Sequence, residues 1–309
     1  MSVLSKPYFH DEAAAFEHLE ALLWPQGPVC PHSGSMGKHY DLRKTRLGLR
    51  KCQDCRKQFT VKVGTVFESA HVPLNKVVQA VYLMVSSKKG ISSHQMHRIL
   101  QVTYKTAWFL THRIREAMRD GSLAPMGGNG GFVEVDETFI GTDRNIKPKG
   151  VKTGRGVHHK HKVLSLVDRD TGQKRSMVVD DLSAKTVVPI LRENIAKEAR
   201  VMTDEAGQYQ KLGADFAEHG FVRHGQGEYG RGDVHTNTIQ GAFSIFKRGM
   251  KGVYQHCGKQ HLHRYLAEFD FRYNNRVALG CDDPERSARA LKGVVGKRLT
   301  YRQSADQTH

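Results

Sequence analysis

No run of 18 apolar residues occurs anywhere in the 309-residue sequence, which excludes a membrane-spanning helix of ordinary length. Cysteine is scarce. There are five, and three of them crowd between positions 30 and 55, a scatter that argues against a disulfide framework and for a metal site. Cys257 and Cys281 stand apart and read as reduced thiols. Acids are short against bases, 31 to 48. The resulting formal charge of +17 favours an anionic partner, and nucleic acid is the commonest. The opening stretch MSVLSKPYFHDEAAAFEHLE carries early acids and no apolar core of signal-peptide type. A cytoplasmic, nucleoid-associated protein without a membrane partner is therefore expected.

What is present divides at RDGSLAPMGGNGG, positions 119–131, the clearest linker signal in the chain. Before it, Ala15, Phe16, Leu19, Leu22 and Leu23 give residues 8–24 one apolar helical face. Residues 1–28 are thus expected as an N-terminal helix and 29–70 as a zinc-ribbon-like module. Cys52 and Cys55 form C-x-x-C, a turn that aims two thiolates at one ion. Upstream, Cys30 begins a second such pair, but Ser33 stands where its partner belongs. Zn²⁺ is expected at Cys30, Cys52 and Cys55, with His32 or His39 as candidates for the fourth bond. Over 71–120, an apolar helix at 74–86 precedes two further helical patterns, Ile91–Leu100 and Tyr104–Met118. Their short connection suits a helix-turn-helix. Lys105, Thr106, His112, Arg113 and Arg115 on the second are the candidate DNA contacts.

After the linker the pattern becomes strand-rich. FVEVDETFIG is an apolar strand with Asp136 at its middle, and VMTD ends a second strand at Asp204. A carboxylate in such a strand is costly unless a cation or partner holds it. Two strands that deliver acids to one end of a sheet make a site for Mg²⁺ or Mn²⁺. Glu134 and Glu137 flank Asp136, and both are expected to turn away from it by strand alternation. A hairpin is expected around Asp170–Gly172, and a helix begun by Ser183. His158, His159 and His161 with Lys160 and Lys162 form a basic run.

VHTNTIQGAFSIFKRGMKG, Val234–Gly252, reads as a helix capped by Thr236 or Asn237. It offers two amides, Asn237 and Gln240, either of which can give a carbonyl oxygen to a hard cation. Lys247 lies two turns beyond Gln240 on the same side, where it can hold a phosphate.

The motifs CQDCRKQFTVKVGTVFE, VEVDETFIG, VMTDEAGQY and HTNTIQGAFSIFKRGMKGVYQHCGKQHLHRYLAEFDFRYNNR, spread over residues 30–276, resemble those of bacterial insertion-sequence transposases of the DDE superfamily. The resemblance is to the group that joins an N-terminal zinc ribbon to a catalytic set of Asp, Asp, Asn or Glu, and Lys, to which Merlin transposases are related. It implies an α/β fold: an RNase H-like catalytic domain over 132–280, with a mixed five-stranded sheet and helices, preceded by the ribbon and helix-turn-helix and followed by a tail over 281–309. It also implies Mg²⁺-dependent (or Mn²⁺-dependent) 3′-end cleavage and strand transfer on terminal inverted repeats and target DNA, by a homo-oligomer. Asp136, Asp204 and Asn237 become the metal ligands and Lys247 the family's lysine, with Gln240 and His235 as further catalytic candidates and Arg248 as a DNA contact. Relatives often carry Glu at the position of Gln240 and Cys at that of Ser33. These departures motivate an alternative, a transposase-derived DNA-binding protein with weakened or lost catalysis.

Overall fold

The computed structural model describes residues 2–121, 124–142, 159–210 and 212–300. The chain forms two compact units, 1–119 together with 281–309, and 120–280.

In the first unit, Asp11 starts α1 (Glu12–Leu23) by accepting the Ala14 N–H at 2.7 Å, so the helix begins later than the apolar pattern alone suggests. It buries Ala15, Phe16 and Leu19. Three short antiparallel strands follow: β1 (His39–Asp41), β2 (Arg50–Cys52) and β3 (Gln58–Phe59). Then come α2 (Leu74–Ser86), α3 (Ser93–Leu100) and α4 (Tyr104–Ala117). Ser92 caps α3 and Thr103 caps α4 through their hydroxyls. Between these helices Gln101 takes a left-handed conformation, φ 51°, which reverses the chain in few residues.

The second unit is built on a five-stranded mixed sheet. Its strands are β4 (Phe132–Ile140), β5 (His161–Asp168), β6 (Lys174–Val179), β7 (Arg200–Asp204) and β8 (Glu218–Val222), in the order β6-β5-β4-β7-β8. β5 runs antiparallel to both β4 and β6, whereas β7 lies parallel to β4 and β8 parallel to β7. α5 (Ala184–Asn194) connects β6 to β7. Its Val187 and Leu191 pack with Val133, Val135, Leu164 and Leu166 on one sheet face. A two-residue hairpin, β9 (Gly230–Arg231) with β10 (Val234–His235), leads into α6 (Asn237–Gly249) and then α7 (Lys259–Asn274). These helices cover the other face, where Ile140 and Val163 meet Phe246, Leu262 and Phe269, and Val167 meets Ile239 and Phe243.

The glycine-rich segment before β4 is built into this unit. Met126 exchanges backbone hydrogen bonds with Asn194 and Ala196. Gly127 has φ +75°, and a Cβ there would lie 2.6 Å from both Ala199 Cβ and Val133 Cγ2. Gly127→Ala is therefore expected to cost about 2 kcal/mol, from left-handed strain plus overpacking, read as a lower unfolding temperature in calorimetry. The chain finally rejoins the first unit through α8 (Asp283–Lys292), which packs on α2.

Candidate active site

β4 and β7 pair with Glu134 opposite Met202. Asp136 and Asp204 therefore stand at equivalent positions, two residues further along each strand. On the face covered by α6, an open cleft of about 770 Å³ lies between Asp136 and Glu137 on one side and Gln240, Ser244, Lys247 and Arg248 on the other, with Lys251 from the π-helical turn that extends α6. Burial pushes the Asp136 carboxyl up to about 7, and the negative charges of Glu137 and Asp204 add to the effect, against the Glu137 N–H and Lys247. The Lys247 ammonium is pulled down by burial, while Asp136 acts to hold it up. In this site burial opposes ionisation of the Asp136 carboxyl while the Lys247 ammonium favours it. The site's hard oxygen donors fit Mg²⁺ or Mn²⁺.

The flanking glutamates behave differently from the expectation that both turn away from Asp136. Glu134 lies two residues before Asp136 and so shares its face. Its fully buried carboxylate accepts the Ile239 N–H of α6 at 2.8 Å and pairs with Arg169 Nε at 2.6 Å. That carboxylate caps α6, since neither Thr236 nor Asn237 supplies a side-chain cap. Glu137 does lie on the opposite parity, where it accepts from Tyr209 Oη at 2.6 Å and Gln208 Nε2 at 2.9 Å. It nevertheless borders the same cleft.

The two amides are placed differently. Gln240 lines the cleft, with its Nε2 donating to His224 Nε2 at 3.1 Å and to Thr236 Oγ1 at 3.2 Å. Asn237 is exposed at the first residue of α6 and is not among the cleft residues. His235 is tied to Arg169 and, at 3.2 Å, to Glu134. Glu134 could have been placed by counting strand parity. Arg169, His224 and Tyr209 reach the site from distant segments, and no local signal marks them.

In the ribbon, the sulfurs of Cys30, Cys52 and Cys55 lie within 4.8 Å of one another, and three gathered thiols fit Zn²⁺. The Cys52 thiol is lowered to about 6 by the Cys55 N–H and by the Ser33 hydroxyl 3.5 Å away. The two turns match: the residue after Ser33 (Gly34, φ 72°) and the residue after Cys55 (Arg56, φ 62°) are both left-handed. His32 is exposed and outside the sulfur group, and His39 is bonded to Arg50 at 3.1 Å. On α4, Lys105 is exposed and Thr106 and Arg113 are half-buried. His112 and Arg115, each 1% exposed, lie on the helix face that also buries Leu110 and Ile114 and so present no surface to a duplex. In the basic run, His158 lies outside the described residues, and His161 is buried in β5.

A mixed sheet in this order, with one acid on its central strand and another on the parallel neighbour, is an RNase H-like domain. Residues 129–274 match the ISXO2-like transposase domain, and residues 10–58 match the transposase zinc-ribbon domain. The chain is 30% identical over 277 residues to a protein of transposable element ISH50 from Halobacterium salinarum, covering 85% of this chain and 91% of that one. It is 26% identical over 100 residues to a transposase-like protein of Haemophilus influenzae, covering 32% of this chain and 80% of that one. A chain in the intasome of a simian T-cell lymphotropic virus aligns at 11% identity with a TM-score of 0.28, over 63% of this chain and 65% of that one, a likeness too slight to define a fold. The chain belongs to the IS1595-type, ISXO2-like family of DDE transposases. Among the described residues, no helix is long and apolar enough to cross a membrane.

Proposed function

We propose that this transposase binds the terminal inverted repeats of its own insertion sequence, cuts their 3′ ends and joins them to target DNA. The cleft carries the reading: half-buried Asp136, raised to about 7, faces a cationic wall of Lys247, Arg248 and Lys251. Asp136 and Asp204 would hold Mg²⁺ or Mn²⁺ together with an amide oxygen from α6. Bound there, the ions would activate a water or 3′-hydroxyl and stabilise the leaving oxygen. Lys247 and Arg248 grip the phosphates of the scissile strand. Lys105, Thr106 and Arg113 contact the repeat in helix-turn-helix fashion, and the ribbon adds basic surface. Pairing two ends calls for at least a dimer.

The test is cleavage of a labelled duplex carrying the element end, with Mg²⁺ or Mn²⁺. Wild type should cut at the 3′ end, and Lys247→Ala should cut on the order of 10–100-fold more slowly, as loss of a charged transition-state contact implies. No cutting under either metal sinks the reading. Resemblance points to Asn237 as the amide and placement points to Gln240. Activity lost with Asn237→Ala and kept with Gln240→Ala assigns Asn237, and the reverse assigns Gln240.

A second reading, a DNA-binding protein descended from a transposase, is favoured by one observation: a neutral amide, Gln240, bonded to His224 and Thr236, borders the cleft beside Asp136, at a position where the resemblance implies a carboxylate. It predicts specific binding without cutting, with cutting restored by Gln240→Glu.

A further inference from the structure

The motif VEVDET holds three acids, and the chemistry assigned above uses one. Glu134 has no access to solvent, and a buried carboxylate needs a full set of partners. It has them. One oxygen takes the Arg169 Nε–H at 2.6 Å and the other takes the Ile239 N–H at 2.8 Å. Arg169 is itself pinned: it donates to the carbonyl oxygens of Asp233 at 2.7 Å and His235 at 2.6 Å, and approaches His235 Nδ1 at 2.9 Å. Its own N–H donates to the Phe132 carbonyl of β4 at 2.9 Å. The approach to α6 and its first turn are thus bonded to the strand that carries Asp136.

We propose that Glu134 and Arg169 are positioning residues that hold α6 at a fixed distance from Asp136, so that the amide donors and Lys247 meet the metal and phosphate in register. The proposal rests on the reading of the cleft as the phosphodiester site. Neither residue touches the reacting atoms. Each acts through α6, whose N-terminal N–H groups have no cap from their own segment. A displacement of about 1 Å at a reacting centre costs roughly 100-fold in rate, so a loosened α6 should be felt in kcat.

Four measurements on the full chain test this with Arg169→Lys, Glu134→Gln and the double variant Glu134→Gln/Arg169→Gln. Arg169→Lys keeps the charge and loses the forked donation, and it is the variant least disruptive to folding. Expected for each variant are an end-cleavage kcat lowered about 10–100-fold and an end-DNA Kd within about twofold of wild type. Amide exchange at Ile239 and Gln240 should accelerate at least tenfold while α7 stays protected. Mn²⁺ affinity, read from the free-ion paramagnetic resonance signal, should weaken several-fold. The double variant should lose no more than the worse single one, because the two residues share one interaction. A merely structural role would instead raise exchange across the whole unit and weaken DNA binding in parallel. The proposal is overturned by unchanged exchange at Ile239, or by lost protection with unaltered kcat and Mn²⁺ affinity. If the wild type cuts no end, the functional reading fails, and exchange with Mn²⁺ affinity still decides whether the tether shapes the cleft.

Discussion

Asp136→Asn is expected to make the protein inert and, without divalent ions, more stable. The folded carboxyl titrates at about 7, against an ordinary 3.8. Below pH of about 4 both forms are protonated and the group costs nothing. As pH rises toward 7 the unfolded chain ionises while the folded one does not, so stability falls. Above 7 the penalty is constant, on the order of 4 kcal/mol. Asn keeps the shape and removes the charge. In EDTA at pH 8 the variant should gain about 2–4 kcal/mol, and the gain should vanish as the pH is lowered to about 4. Added Mg²⁺ should stabilise wild type and leave the variant unmoved. End cleavage should fall at least ~1000-fold, since Asn lacks the charge that holds the ion. Calorimetry across pH with and without Mg²⁺ checks this, and a variant less stable than wild type at pH 8 in EDTA refutes it.

Ser33→Cys should tighten zinc binding on the order of 100-fold, the share of one ligand in a four-ligand structural site. The paired left-handed residues Gly34 and Arg56 put Ser33 where Cys55 stands in the other turn, and its hydroxyl already lies 3.5 Å from the Cys52 sulfur. The new thiol needs no rearrangement of the backbone. In the cobalt-substituted protein, the near-ultraviolet sulfur-to-metal charge-transfer band should grow by about one third, as three thiolates become four. Chelator competition should give the affinity change. Because metal binding needs thiolates and Cys52 ionises at about 6, zinc affinity should fall with pH and fall more steeply below about 6. An unchanged charge-transfer band would show that the new sulfur does not reach the ion.

Much of this was legible in residue order. The apolar helix at 74–86, the hairpin at Asp170–Gly172 and the strand ending at Asp204 appear where periodicity and turn residues place them. The ribbon was legible because its turns are local. What could not be read was non-local. His112 and Arg115 look like DNA-facing cations in a helical pattern, yet their face is turned inward, and only the packing of α4 against its neighbours decides that. The cap of α6 was sought within its own segment, and it comes from a glutamate 105 positions away. Glu134 and Asp136 share a face by simple parity. Glu137 borders the cleft despite its parity, while its carboxylate is bonded to Tyr209 and Gln208.

The return of α8 to the first unit has a practical consequence for dissecting the protein. Leu291 and Val294 are fully buried there, and Thr65 bridges to Val295. A stop codon after Gly280 would strip the first unit of part of its own core while leaving the second complete. To obtain that first unit alone, the middle of the gene must be excised and the ends at Arg119 and Cys281 joined by a spacer able to run back along α8, since Ala117 meets Gly293 at the far end of that helix. The transposase is in this sense a nested message, which internal deletion can parse and truncation cannot.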